Sequence, residues 1–216
     1  MQIQRRYKDE TSAEEKLRQM GLDLEKLQQL SVKVAYARDT PTVFHPKSAS
    51  GTYGYHEGVF HLRQNFVGIN GWLPYSKGGI EGIENEELGL IVLYQNVDQA
   101  CCPVDPSPLS SGKGRRSAIK TLVQSQTFDF WPDELKAELE KKYDSSKIWF
   151  MCVSVRDGRV SAEFSRPYYL DENGSFGPFA VRIDILQSYS VDDIDQETLG
   201  DFSSGIDFDV DITKKE

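Results

Sequence analysis

Three short segments in the last third of this chain carry its most constraining pattern. Ile148 to Val155 is apolar almost throughout, and the dipeptide Asp157-Gly158 that follows favours a tight β-hairpin turn. Two further segments alternate apolar and polar residues, with apolar positions at Val160, Ala162, Phe164, Val181, Ile183 and Ile185. A period of two places alternate side chains on one face of a strand. The sequence therefore predicts a three-stranded antiparallel meander with one buried and one polar face.

A second apolar run, Leu90 to Tyr94, favours a strand that is covered on both faces. Gly89 precedes it, and polar Gln95 and Asn96 follow it. We predict that this strand belongs to the same sheet and that Ile91 and Phe150 are buried in the core.

The first 38 residues favour helices. Glu14 soon after Thr11 and Ser12 is typical of a helix start, Gly21 of a stop, and Asp23 of the N-cap of a second helix. From Ser31 onward the pattern changes, because apolar residues alternate with polar or small ones at Val32, Val34 and Tyr36. This alternation predicts that the second helix gives way to a strand.

Residues 40–89 form a segment rich in glycine and aromatic residues. Nine of the 17 glycines in the chain lie between Gly51 and Gly89. That density predicts turns and short strands, one of them at Gly58 to Val67. The aromatic side chains are expected in the cores of such strands, and the alternative is a loop position facing a ligand. Trp72 and Tyr75 are the ligand-binding candidates under that alternative.

These patterns predict one α+β domain over residues 1–187, with an antiparallel or mixed sheet and helices on one side. Residues 188–216 form an acidic tail, with nine carboxylates against two lysines out of a whole-chain net charge of −9. Few apolar residues occur before position 206, so we expect that part of the tail to be disordered when free. Ile206 to Ile212 alternates strictly, which predicts a docking strand for a sheet of this chain or of a partner.

A basic loop precedes the amphipathic segment that starts at Ala118. Ser110 to Ser117 reads SSGKGRRS, and its Lys113, Arg115 and Arg116, with Lys120 beyond, gather positive charge at a predicted helix start. Helix N-termini bind anions through unpaired N–H groups. The spacing is not that of a Walker A motif, so the alternatives are a solvated loop and a site for a phosphate-bearing ligand.

The alternative function is that of an enzyme, a nuclease that depends on a divalent metal ion. Such enzymes hold Mg²⁺ with carboxylates near a lysine, and Asp98, Glu163 and Lys120 are the catalytic candidates. No crisp metal-binding motif is present, and a cross-strand ion pair between Glu163 and Arg182 is the favoured role for that glutamate.

The histidines, the cysteines and the lack of long apolar runs predict which cofactors the protein uses and where it is found. The three histidines and the adjacent Cys101 and Cys102 lack the spacing of a metal site, so we expect no metal or other cofactor apart from the Mg²⁺ of the nuclease alternative. Three cysteines suit a reducing compartment, and no signal peptide or membrane-spanning run is present, so we expect a cytoplasmic protein without membrane contact.

The sequence therefore favours a non-catalytic binding protein, of the adaptor or inhibitor type, that recognises a protein partner or a phosphate-bearing ligand through its glycine-rich and basic loops. Nucleic-acid binding and self-association remain open alternatives.

Overall fold

A mixed sheet of seven strands forms the frame of the part of the chain that the structure describes. This structure, a computed structural model, describes residues 4–77, 79–110, 147–168, 176 and 178–191. Three helices accompany the strands in the described ranges, which confirms the α+β class. In chain order the elements are β1 (Arg5–Tyr7), α1 (Glu10–Arg18), α2 (Leu24–Asp39), α3 (Ala49–Phe66), β2 (Leu73–Lys77), β3 (Ile80–Asn85), β4 (Leu90–Asn96), β5 (Lys147–Arg156), β6 (Arg159–Pro167) and β7 (Phe179–Ser190).

The strand order is β1-β7-β6-β5-β4-β3-β2. The predicted meander corresponds to β5, β6 and β7, which pair antiparallel. Asp157 and Gly158 have φ of 52° and 70°, as a tight hairpin turn between β5 and β6 requires. The Leu90–Tyr94 run corresponds to β4, an interior strand that pairs parallel with β5 and antiparallel with β3. The only other parallel pair among the described strands joins β1 to β7.

The two faces of the sheet are covered differently. The helices cover one face, where Trp149, Met151 and Phe164 pack with Leu27 and Leu62 of α2 and α3. The opposite face carries a smaller apolar cluster around Tyr75, Leu93 and Phe150, which the loop after β4 helps to cover through Val97 and Ala100. Alternation along each strand assigns its side chains to these two layers in turn.

Two secondary-structure predictions were wrong. The segment from Ser31 onward continues α2, because Leu27, Leu30, Ser31 and Val34 all face the core at helical spacing. Within that helix the Ser31 hydroxyl donates to the Leu27 carbonyl at 2.7 Å. The buried face therefore decides the conformation here, and the alternation of β-branched residues does not.

The predicted strand at Gly58–Val67 is instead part of the 18-residue helix α3. Its glycines are needed for close packing: a Cβ atom at Gly58 would lie 2.3 Å from the Tyr94 ring, and one at Gly54 would lie 2.6 Å from the Arg38 side chain. Glycine at these positions allows α3 to lie close to the sheet and to α2. These two glycines therefore serve close packing of a helix and do not form turns.

Ile91 and Phe150 were both predicted to be buried, and the structure confirms this for Phe150 only. Phe150 is 1% exposed, whereas Ile91 is only half-buried, because it lies at the margin of the smaller apolar cluster. The residues from 111 to 146, including most of the basic loop and the helix predicted to start at Ala118, lie outside the described residues, as do positions 192–216. No helix in the described ranges is long and apolar enough to cross a membrane.

Candidate functional site

A buried ion pair lies on the sheet face opposite the helices. Glu163 of β6 and Arg182 of β7 are both 0% exposed. The Arg182 guanidinium donates from Nε to Glu163 Oε1 at 2.9 Å and from Nη2 to Oε2 at 2.6 Å. Burial alone lowers the pKa of an arginine, but the hydrogen bonds and charge of Glu163 outweigh it, so the pKa of Arg182 is raised.

The remaining acceptor positions of Glu163 are also occupied. The Ser165 hydroxyl donates to Oε1 at 2.7 Å, and the backbone N–H of Cys101 donates to Oε2 at 2.7 Å. With the two bonds from Arg182, each carboxylate oxygen accepts two hydrogen bonds. A carboxylate offers about four lone-pair positions, so this glutamate is saturated.

A second ion pair extends the cluster toward β1. Arg6 donates from Nε and Nη2 to the two carboxylate oxygens of Asp184 at 3.1 and 3.0 Å, and from Nη1 to the Cys102 carbonyl at 2.8 Å. Arg182 also reaches Asp105 at 3.2 Å. The two arginines therefore tie the loop after β4 to the outer strands of the sheet.

Cys101, Glu163 and Asp184 place their potential ligand atoms within 4.8 Å of one another. Burial, with the charges of Asp184 and Glu163, raises the pKa of the Cys101 thiol, so the sulfur is protonated. It donates to the carbonyls of Ala162 and Leu186, at 3.1 and 3.4 Å. Metal ligation requires thiolate and unpaired carboxylate, and here both carboxylates are held by arginine. The cluster fits an ion-pair network that fastens the loop, and it does not fit a cation site.

The nuclease candidates do not share an open site in the described structure. Glu163 is enclosed, whereas Asp98 is exposed at the end of β4. Asp98 Oδ1 accepts the backbone N–H groups of Gln99 and Ser107, both at 2.7 Å, so its carboxylate closes a loop. The third candidate, Lys120, lies outside the described residues. The sequence-based preference for an ion pair at Glu163 agrees with the geometry.

The ligand-binding candidates fall into two groups. The basic residues Lys113, Arg115, Arg116 and Lys120 lie outside the described residues, so their role stays a prediction. Trp72 and Tyr75 are 0% and 1% exposed and belong to the two apolar clusters. Neither aromatic ring presents a surface to a ligand in this structure, which agrees with the core alternative.

Among the described residues, the most exposed large apolar side chains lie in the loop between α2 and α3. Val43 and Phe44 are 92% and 94% exposed. We call residues 40–48 the Phe44 loop. Adjacent apolar residues exposed to this degree cost solvation free energy in the isolated protein, and such exposure marks interaction sites.

Local hydrogen bonds hold the Phe44 loop in a defined turn. The Thr42 N–H donates to His45 Nδ1 at 3.0 Å, and the His45 N–H donates to the Thr42 carbonyl at 3.0 Å. The His45 ring also packs edge-on against Tyr53 of α3, with ring centroids 5.9 Å apart. The turn is thereby closed by its own hydrogen bonds and anchored to α3 at His45, and Val43 and Phe44 between these residues are exposed.

Sequence reasoning missed this loop. The residues T-P-T-V-F-H-P-K lack any periodic apolar neighbours that could bury a Val-Phe pair, and prolines at 41 and 46 exclude it from helix or strand. Those two signals together could have identified an exposed apolar turn.

No known protein family, curated protein or solved structure matches this chain.

Proposed function

We propose that this protein is a non-catalytic binding protein whose Phe44 loop docks into an apolar pocket of a protein partner. The observation that carries the proposal is the exposure of Val43 and Phe44, at 92% and 94%, on a turn held by its own hydrogen bonds. Burial of each side chain stabilises a complex by about 1.5–3 kcal/mol. A preformed turn loses little conformational entropy on docking, so most of that gain is retained.

A protein partner fits the charge of this chain better than a lipid surface. An exposed Phe can also insert into a membrane, but stable attachment requires attraction to anionic headgroups. The chain carries a net charge of −9, and Lys47 and His45 are the only basic residue types within the Phe44 loop. Repulsion from an anionic bilayer therefore opposes membrane insertion.

The described carboxylates also support a role without catalysis. Glu163 is saturated by hydrogen bonds and Asp98 is engaged by two backbone N–H groups. Neither is placed to hold a metal ion and a substrate together.

Photo-crosslinking tests the proposal. A benzophenone amino acid is placed at Phe44 in the full-length protein, and for comparison at Val104, a 65% exposed apolar residue of the loop after β4. In cells that produce the protein, position 44 is expected to give a discrete crosslinked protein that position 104 does not give. V43S/F44S is expected to abolish co-purification of that same protein without changing the melting temperature, because exposed side chains contribute little to folding.

Three results would overturn this function. The first is crosslinking at position 44 that does not exceed crosslinking at position 104. The second is flotation of the protein with vesicles that contain phosphatidylserine, if this flotation depends on Phe44. The third is cleavage of DNA or RNA that requires Mg²⁺ or Mn²⁺ and is lost in Asp98→Asn.

A further inference from the structure

The sheet has two edges with different chemistry. At one edge lies β1, which pairs only with β7 among the described strands. At the other lies β2, which contains Pro74 and pairs with β3. Proline has no N–H to offer to another strand, so Pro74 blunts the β2 edge. β1 is shorter than β2, but it lies next to β7, from which the C-terminal segment continues, whereas β2 lies at the far end of the sheet.

Charge separates the two edges further. Arg5 and Lys8, in and just after β1, are both exposed. At the opposite edge, Glu81 and Glu84 of β3 lie directly across from Ser76 and Leu73 of β2. Glu81 is paired with Arg63, so Lys77 and Glu84 leave the β2 edge nearly neutral, and an acidic strand is attracted more strongly to β1.

One segment of this chain has the matching pattern. Ile206 to Ile212 reads I-D-F-D-V-D-I, with four apolar residues on one side of an extended segment and three aspartates on the other. Apolar and acidic residues in strict alternation suit an edge position that is half covered and half exposed to water.

The connection is long enough for this segment to reach β1 in the same chain. The middle of β1 lies beside Arg182, and the last described residue, Val191, lies nine positions further along β7. That is about 30 Å at the rise of a strand, with about 10 Å more to cross two strand spacings. The 14 residues from 192 to 205 span up to about 46–50 Å when extended.

We propose that residues 206–212 add, within the same chain, to the edge of β1 that no described strand occupies. Tyr7 packs against the helix-side core and Arg6 faces the opposite layer. In this arrangement the apolar row beginning at Ile206 continues the core beside Tyr7, and the aspartates lie on the side of Arg6 and Lys8. This site is independent of the Phe44 loop, so either proposal can fail without the other.

Amide hydrogen exchange on the full-length protein tests the inference. The alternate amides within 207–211 that face β1 are expected to exchange at least about ten-fold more slowly than in an unstructured chain, at a rate independent of protein concentration. Lys8→Glu is expected to weaken that protection, and Asp209→Lys in the same chain to restore part of it. Lys77→Glu, a matched charge reversal at the β2 edge, is expected to leave the protection unchanged. A carbodiimide is expected to link Lys8 to Asp207 or Asp209 in monomeric protein.

Each alternative outcome has a distinct signature. Unprotected amides in the unmodified protein would show that 206–212 does not pair. Protection that rises with protein concentration would assign the contact to a second copy, and protection lost in Lys77→Glu but kept in Lys8→Glu would assign it to β2. Each of these results overturns the proposal.

Discussion

Arg182 and Glu163 face each other across adjacent strands as a two-pronged ion pair from which water is excluded. Because each charge is compensated mainly by the other, the loss of one partner costs more than the loss of both. We predict that Arg182→Met lowers the free energy of unfolding by about 3–5 kcal/mol. The double variant E163Q/R182M is expected to recover part of that loss, since a neutral glutamine can still accept the Cys101 N–H. Urea unfolding of the single and double variants measures the coupling, and additive losses would contradict the pair's mutual dependence.

Stability is predicted to fall in mild acid because of His61. Burial, and then the charge of Lys33, lowers the pKa of this histidine from 6.5 to about 4. The folded state therefore favours the neutral ring, and the stability it contributes is complete above pH 6.5 and is lost as the pH falls toward 4. Over that window the loss is about 2–3 kcal/mol.

His61→Gln isolates that effect. Gln64 and Glu57, which contact the His61 ring nitrogens, are present in both proteins, so the other acid titrations are shared. Urea unfolding at pH 7 and pH 4.5 is expected to show a smaller drop for the variant. Equal drops in the two proteins would exclude His61 as the cause.

Two glycines of α3 are predicted to respond oppositely to alanine. Gly51 has no atom within 4 Å of an added Cβ, so Gly51→Ala is expected to stabilise the protein by about 0.5–1 kcal/mol. At Gly58 the Cβ would overlap the Tyr94 ring, so Gly58→Ala is expected to destabilise it by about 1–3 kcal/mol. Thermal unfolding compares the two, and a gain in both would show that α3 does not pack closely on β4.

Truncation of Phe150 is predicted to create a cavity in the smaller apolar cluster. Phe150→Ala is expected to cost about 3–5 kcal/mol. Ile91→Ala, at the margin of the same cluster, is expected to cost less because Ile91 is half-buried. Denaturant midpoints measure both, and a Phe150→Ala loss below about 1 kcal/mol would place this residue outside a packed core.

The basic loop carries a prediction that rests on sequence alone. If Lys113, Arg115 and Arg116 hold phosphate, R115A/R116A is expected to weaken binding of a fluorescent single-stranded oligonucleotide. The salt dependence of binding should also become shallower, because fewer counterions are released. The melting temperature is expected to change little. Unaltered binding in a fluorescence-anisotropy titration would leave the loop as a solvated connection.

Period and turn chemistry were sufficient to predict β4 through β7 and the N-cap of α2 at Asp23, whereas α1 begins at Glu10, after its N-cap Asp9, and not at Thr11 or Ser12 as predicted. They failed at Gly58 and Val34, where a ring from another element or the core face of a helix decides the conformation. Such contacts are set by three-dimensional packing and leave no local signal. The Glu163–Arg182 pair was predictable because both residues occupy polar positions of neighbouring strands. The participation of Cys101 was not, since it depends on the path of the loop after β4.

The parallel pairing of β1 with β7 sets an order of events during translation. Arg6 and Asp184, which join these strands, are 178 positions apart in sequence. At bacterial or eukaryotic elongation speeds, β1 is synthesised on the order of 10–35 s before its neighbour β7. The nascent chain therefore holds an unpaired cationic strand beside helices that lack much of the sheet they cover. Chaperone demand is expected to be highest in that interval, and ribosome-bound fragments that end before β7 are expected to be more sensitive to protease than those that include it.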